Sequence, residues 1–248
     1  MDFKNTSHLQ YQAGDLFLGR DGNGRDIGVQ SDRHALTVAG SGSGKGTCVI
    51  IPNLKRYIGN ALVIDPKGEN ARETWKDRLD LGQSVHVIDP FQKSGVPDQF
   101  IASFNPLDHV DKDGLTAGSD LLVIADGLIK KSNPDHAEWD ATAAKILAGC
   151  MGYVLAEAPE DKKTITEARN VLLQPADDLR DDALNMMVSD EFDGLVRDAG
   201  NMIVTALDSE RSLESQALSQ AKRQTQWIGM KAFRNVLETC TFKLSDLK

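Results

Sequence analysis

Residues 39–47 read Ala39-Gly40-Ser41-Gly42-Ser43-Gly44-Lys45-Gly46-Thr47, between a short apolar run and a segment of helical character. Glycines let a backbone turn so tightly that successive N–H groups converge on one point. The positive end of a following helix adds to that field, so the turn suits an anion. Lys45 would then reach the β- and γ-phosphates of a nucleoside triphosphate. The stretch therefore reads as a phosphate-binding loop, with Gly40, Ser41, Gly42, Ser43, Gly44, Lys45, Gly46 and Thr47 as nucleotide-binding residues. Two positions depart from the usual Gly-x-x-x-x-Gly-Lys-Ser/Thr pattern. Ala39 takes the place of the first glycine, and Gly46 stands where a magnesium-binding hydroxyl is expected, with Thr47 one residue later. Either Thr47 reaches the metal from a shifted helix start, or phosphates and water hold it.

The loop sits in a repeating pattern. Residues 35–38 read as a buried strand. Thr47, Cys48, Val49, Ile50 and Ile51 read as a helix that Pro52 ends or bends. Residues 61–64 predict a second strand, closed by Asp65-Pro66-Lys67-Gly68-Glu69, and residues 74–81 a helix. Residues 84–88 predict a third strand, closed by Asp89-Pro90-Phe91. Strand, helix, strand, helix, strand is the grammar of a parallel α/β sheet. Right-handed crossovers would put the loop and both Asp-Pro turns at its carboxyl edge, where ligands bind. Asp65 is then a candidate magnesium ligand and catalytic residue, together with Lys45. Its bland alternative is a turn aspartate capping the next segment, and Asp89 is read that way.

The bulk numbers limit the possibilities. The chain has 248 residues, 40% of them apolar, enough for one large domain or a domain with an insertion. The net charge of −9 argues against a generic nucleic-acid coat. The charge is unevenly placed. Residues 1–107 hold 12 acids and 12 bases, residues 108–193 hold 19 acids and 8 bases, and residues 194–248 hold 6 acids and 8 bases. The middle thus carries the acidic excess, as a partner-facing subdomain or a solvated helical exterior would. Cys48, Cys150 and Cys240 lie far apart with no metal-binding spacing, which predicts reduced, structural cysteines. The polar N-terminus and the lack of a long apolar run predict a chain that is itself soluble and carries no leader.

From about residue 115 the pattern turns helical. Residues 115–131 and 138–158 have helical spacing. In the second, Trp139, Ala143, Ile146, Leu147, Cys150, Tyr153 and Val154 form one apolar stripe, read as core. Thr164-Ile165-Thr166-Glu167 reads as a capping box, and residues 209–228 as a polar helix. The expected fold is α/β, a P-loop NTPase parallel sheet core with an inserted all-helical subdomain. Its parts are a nucleotide-binding core over 1–114, an all-α insertion for substrate or partner recognition over 115–225, and a return segment over 226–248.

Four blocks together are specific: Gly42 to Thr47, then Val49-Ile50-Ile51-Pro52-Asn53-Leu54, then Val63-Ile64-Asp65-Pro66-Lys67-Gly68-Glu69, then Val85 to Phe91. They resemble the type IV secretion coupling proteins, the conjugative DNA-transfer ATPases. Glu138-Trp139 and the helix it opens look like that family's all-helical insertion. Phe242 to Lys248 looks like the segment leading back to its motor core. The resemblance implies ATP and Mg²⁺ as cofactors; Thr47 and Asp65 are the metal candidates, and Glu69 is read as a base or, in preference, a salt-bridge partner. It also implies a ring of six subunits at the cytoplasmic face of the bacterial inner membrane. Such a ring passes DNA, with relaxase or relaxosome proteins, or effector proteins, to the type IV secretion channel.

Against that pattern the chain is expected to be truncated at both ends: a fragment, a truncated gene product or one half of a split gene. It has no apolar run closing on the Asp-Glu pair that positions the attacking water; residues 121–125 before Asp126 come nearest, but their neighbours read as helix. Two readings follow: a coupling ATPase, or a non-hydrolysing adaptor that binds nucleotide and a relaxosome or effector protein. A P-loop GTPase would need an Asn-Lys-x-Asp guanine reader, which is missing, and a small-molecule kinase an Arg-rich lid.

Overall fold

A run of helix-forming residues spaced at 3.6 buries a stripe and needs partners on several sides. In the computed structural model, which describes residues 9–31, 33–131 and 137–247, such runs supply most of the ordered structure. The chain divides into two compact units: Met1–Ala102 with Lys243–Lys248, and Ser103–Phe242. Among the described residues the fold is mixed α/β but mostly helical, with one small two-stranded sheet.

The second unit holds the core. Among the described residues every buried apolar side chain except Phe17, Val96 and Ala102 belongs to it. Numbered in chain order after α1 (Ile51–Arg56) and α2 (Glu69–Asp80) of the first unit, its helices are α3 (Ala117–Leu128), α4 (Ala137–Glu157), α5 (Ile165–Leu172), α6 (Ala176–Met187), α7 (Leu195–Asp208), α8 (Leu213–Gln224) and α9 (Lys231–Leu237). Helix α4 packs against α3, α5, α7 and α8, so its stripe is surrounded; Ala143, Ile146, Leu147, Cys150 and Val154 are all buried. Close approach of α4 to α7 is possible only because small residues meet. A Cβ added at Gly149 would lie 2.1 Å from the Cβ of Ala199. Buried Asp140 on α4 accepts from Gln220 of α8 at 2.8 Å, and the Tyr153 hydroxyl donates to Asp182 of α6 at 3.1 Å. Thr164 caps α5 by accepting from the Glu167 amide at 3.1 Å. The reciprocal half of the capping box is not used: the Thr164 amide donates to Lys162 O, and Glu167 accepts from Asn170.

The first unit differs from the expected sheet. Its strands are β1 (Leu16–Arg20) and β2 (Asp26–Val29), an antiparallel pair. Its helices are α1 (Ile51–Arg56) and α2 (Glu69–Asp80). Residues 35–38, 61–64 and 84–88 do not pair with one another among the described residues. Their one ladder contact is a parallel bridge between Val87 and Ile101. Leu36, Val38, Leu62 and Ile64 are 79–88% exposed. A strand persists only where its N–H and C=O groups find partners. Among the described residues only Val87 finds such partners, beside Ile101, so the parallel-sheet core is not assembled here. Residues 121–125 lie inside α3, as their neighbours indicated.

A candidate nucleotide-binding loop and its supports

The loop at 39–47 is built around two residues that only glycine accommodates. Gly42 (φ +75°) and Gly44 (φ +84°) are left-handed. Between them Ser43 holds the turn: its amide and hydroxyl donate to Gly40 O at 3.4 and 2.7 Å. The Lys45 ammonium folds back and donates to the carbonyls of Ala39 (2.6 Å) and Gly40 (2.7 Å). Thr47 Oγ1 donates to Gly44 O at 3.2 Å, and the Cys48 amide donates to the same oxygen at 2.8 Å, starting the helical turn. Ser41, Gly42 and Ser43 are exposed, and Gly44, Lys45 and Gly46 half-buried. A Cβ placed on Gly40, Gly42 or Gly46 would meet nothing within 4 Å. The loop is therefore largely exposed, with a lysine ammonium held by neutral carbonyls that an anion could replace as its partner. These residues fit a phosphate group.

Behind the loop the helix starts wide. Residues Gly46–Ile50 form a π-turn, and the Ile51 amide donates to Gly46 O. Pro52 follows in the first turn of α1, where its missing N–H leaves no extra defect. The helix runs on to Arg56 instead of ending at the proline. Widening of the turn ahead of Pro52 accommodates a ring that would press on the carbonyl four residues back.

Three side chains fix α1, and sequence reading singled out none of them. Asn53 uses both ends of its amide on Phe17 of β1, accepting from its N–H at 2.8 Å and donating to its C=O at 2.9 Å. It serves as a short strand partner. Arg56 lies over the Phe17 ring and pairs with Asp26 of β2 at 2.7 Å. Hydrogen bonds from Arg20, then Arg56, hold the Asp26 carboxyl below the usual range. Arg78 of α2, 8% exposed, donates to the carbonyls of Leu54 (3.1 Å), Tyr57 and Gly59 (2.7 Å), closing the C-terminal end of α1. The Asn23-Gly24 pair between β1 and β2 was the signal available for this hairpin.

The two Asp-Pro turns meet. A Cβ on Gly68 (φ +70°) would lie 2.6 Å from Ser94 Cα, and Arg72 donates to the carbonyls of Lys93 (2.8 Å) and Ser94 (3.2 Å). Asp89 accepts from the amides of Lys93 (3.0 Å) and Ser94 (2.7 Å). Partial burial would raise its pKa, but the Ser94 hydroxyl and the surrounding amides outweigh this and lower it. Asp89 is thus a turn aspartate, as read. Asp65 Oδ2 accepts from the Ala71 amide at 2.9 Å, capping α2. Among the described residues no hydrogen bond or ion pair joins Asp65 to residues 40–47. Glu69 opens α2, exposed, where a negative charge suits the helix start; no ion pair of Glu69 occurs among the described residues.

Comparison with known proteins follows the same line. The family described as Type IV secretory system Conjugative DNA transfer matches residues 2–248. The chain is 25% identical to a conjugal transfer protein TraG of Agrobacterium fabrum, over 86% of this chain and 32% of that protein. It is 26% identical to a conjugal transfer protein TraG of Escherichia coli, over 82% of this chain and 32% of that protein. It is 23% identical to the type IV secretion system-coupling protein VirD4 of Bartonella quintana, over 86% and 33%. The chain spans about a third of the length of these curated relatives. No helix among the described residues is long and apolar enough to cross a membrane.

Proposed function

Since the chain belongs to the type IV secretory system conjugative DNA transfer family, we propose that it is the nucleotide-binding portion of a coupling protein, which binds Mg-ATP at residues 40–47. The observation that carries this reading is the exposed loop with Gly42 and Gly44 left-handed and Lys45 folded back on its carbonyls. ATP would bring a triphosphate to those amides. Lys45 would exchange two carbonyls for phosphate oxygens, a stronger, charge-assisted contact. Thr47 and Asp65 are the proposed magnesium ligands. Each would first give up a present tie, Thr47 to Gly44 O and Asp65 to the Ala71 amide, or hold the ion through water.

In this reading the apolar runs at 35–38, 61–64 and 84–88 are strands of a parallel nucleotide-binding sheet. Further strands, from more of the polypeptide or a second one, complete it. The whole assembly is a ring of six at the inner membrane that passes DNA with relaxosome proteins, or effectors, to the secretion channel and hydrolyses ATP. The helical unit recognises the protein cargo, which its acidic surface supports over nucleic acid.

A second reading has one observation in its favour. Residues 121–126, the nearest match to a strand ending in a catalytic carboxylate pair, lie in α3. The chain would then bind nucleotide without turnover and act as an adaptor. Calorimetry with Mg-ATP on the chain and on Lys45→Ala, with phosphate release followed in the same samples, decides. Binding lost in the variant together with turnover supports the ATPase. Binding lost in the variant without turnover supports the adaptor. Equal binding by both proteins, or none by either, refutes the nucleotide site.

A further inference from the structure

The helical unit carries a groove of about 490 Å³ between the turn that opens α3 and the turn that opens α7. That volume suits a small ligand or a few side chains. Its shape comes from an unusual backbone. Phe192 (φ +53°), Asp193 (φ +57°) and Gly194 (φ +81°) are left-handed in succession, a costly arrangement for residues with side chains. It turns Phe192 inward, 7% exposed, and leaves Glu191 and Asp193 on either side exposed.

Two features mark this surface. The first is unpartnered apolar area. Leu115 lines the groove with 101% relative exposure. On α3, Leu122 (36%) stands one turn beyond Gly118 of the groove lining and is exposed, while Leu121 and Ala125 are fully buried. The second is charge. Asp113, Glu191 and Asp193 line the groove with no ion-pair partner among the described residues, whereas Asp190 is held by Arg197 at 2.6 Å; Lys112 is the one cation in the lining, which stays net negative. Exposed apolar area bordered by unpaired carboxylates is complementary to a segment that presents both apolar and cationic side chains. The same carboxylates oppose a phosphate backbone.

We propose that this groove and the adjoining outer face of α3 dock a cationic, amphipathic polypeptide segment of a partner protein. Its apolar side chains would cover Leu115 and Leu122, and its lysines or arginines would pair with Asp113, Glu191 and Asp193. The proposal rests on the reading of the helical unit as the part that recognises protein.

The test is fluorescence anisotropy on the full chain. The probe is a labelled peptide of leucine, lysine and arginine at helical spacing, with a glutamate-substituted counterpart and a single-stranded oligonucleotide as controls. The cationic peptide should bind and weaken with salt, and the controls should not bind. Leu115→Ser should weaken binding about tenfold or more. The triple variant Asp113→Asn, Glu191→Gln, Asp193→Asn should do the same and flatten the salt dependence. Asparagine tolerates the left-handed backbone at 193, and unchanged circular dichroism checks the fold. A second triple variant, Asp177→Asn, Asp178→Asn, Asp181→Asn, neutralises the exposed start of α6, outside the groove, and should leave affinity unchanged. Peptide binding that survives the groove variants, or falls only with the α6 variant, overturns the groove and leaves protein recognition by the helical unit standing. No peptide binding, or preference for the oligonucleotide, overturns both.

Discussion

Substituting Gly149 by alanine should destabilise the helical unit, and the same change at Gly127 should stabilise it. At Gly149 the new methyl would stand 2.1 Å from Ala199 Cβ and 3.1 Å from Leu195 O. Carbon atoms rest at roughly 3.5–4.0 Å, so α4 and α7 must separate by roughly 1.5 Å at that point. Close-packed interiors do not yield by that much, and overpacking costs about 3 kcal/mol at the upper end of its usual range. Alanine regains about 1 kcal/mol of helix propensity. The net expectation is a loss of about 2 kcal/mol. At Gly127, exposed on α3, an added Cβ meets nothing within 4 Å. There only the propensity gain remains, about 0.5–1 kcal/mol. Urea unfolding followed by circular dichroism, dominated by this helical unit, measures both. Shifts of the same sign, or a Gly149→Ala protein as stable as the parent, would refute the close α4–α7 approach.

Other consequences are separately measurable. Gly46→Ser restores a hydroxyl after the lysine, in space that is open. It should tighten nucleotide binding several-fold in the presence of Mg²⁺ and not in its absence, read with a fluorescent ATP analogue. Burial, with the Asp182 charge adding to it, pushes the Cys150 thiol up to about 12. Iodoacetamide near neutral pH should therefore label exposed Cys48 in the folded protein, and Cys150 only after unfolding, as mapped by mass spectrometry. Asp89 has a lowered folded pKa, so the stability it gives is present above the ordinary carboxylate range and is lost as pH falls through the folded value. Asp89→Asn should flatten the acid limb of the stability curve, and an unchanged limb would contradict the hydrogen bonds described for its carboxylate.

What could be read from the sequence was what is local. The stripe on α4 and the Thr164 cap depend on residues within a few positions of one another, and both appear in the structure. The glycine loop was legible for the same reason: Gly42 and Gly44 occupy left-handed positions whose need is set within five residues. The strands at 35–38, 61–64 and 84–88 were legible only as apolar runs, because pairing depends on distant chain. The hairpin at 16–29 carries an Asn-Gly signal, but no strong alternation around it marks the strands. Arg78, which holds three carbonyls, looks like any charged helix residue until the end of α1 is placed beside it. Phe192 gives no local hint at all, since a bulky residue with positive φ runs against its own preference.

The bare segments of the first unit have a practical consequence for anyone handling the protein. Leu36, Val38, Leu62 and Ile64 stand in solvent on segments that make no ladder contact among the described residues. Such edges pair with whatever edge arrives first, including another copy of themselves. The charge of −9 slows that encounter but is itself screened by salt. Stored stocks should therefore cloud faster in high salt than in low. The precipitate should gain β-sheet signal while the dissolved fraction keeps its helical spectrum.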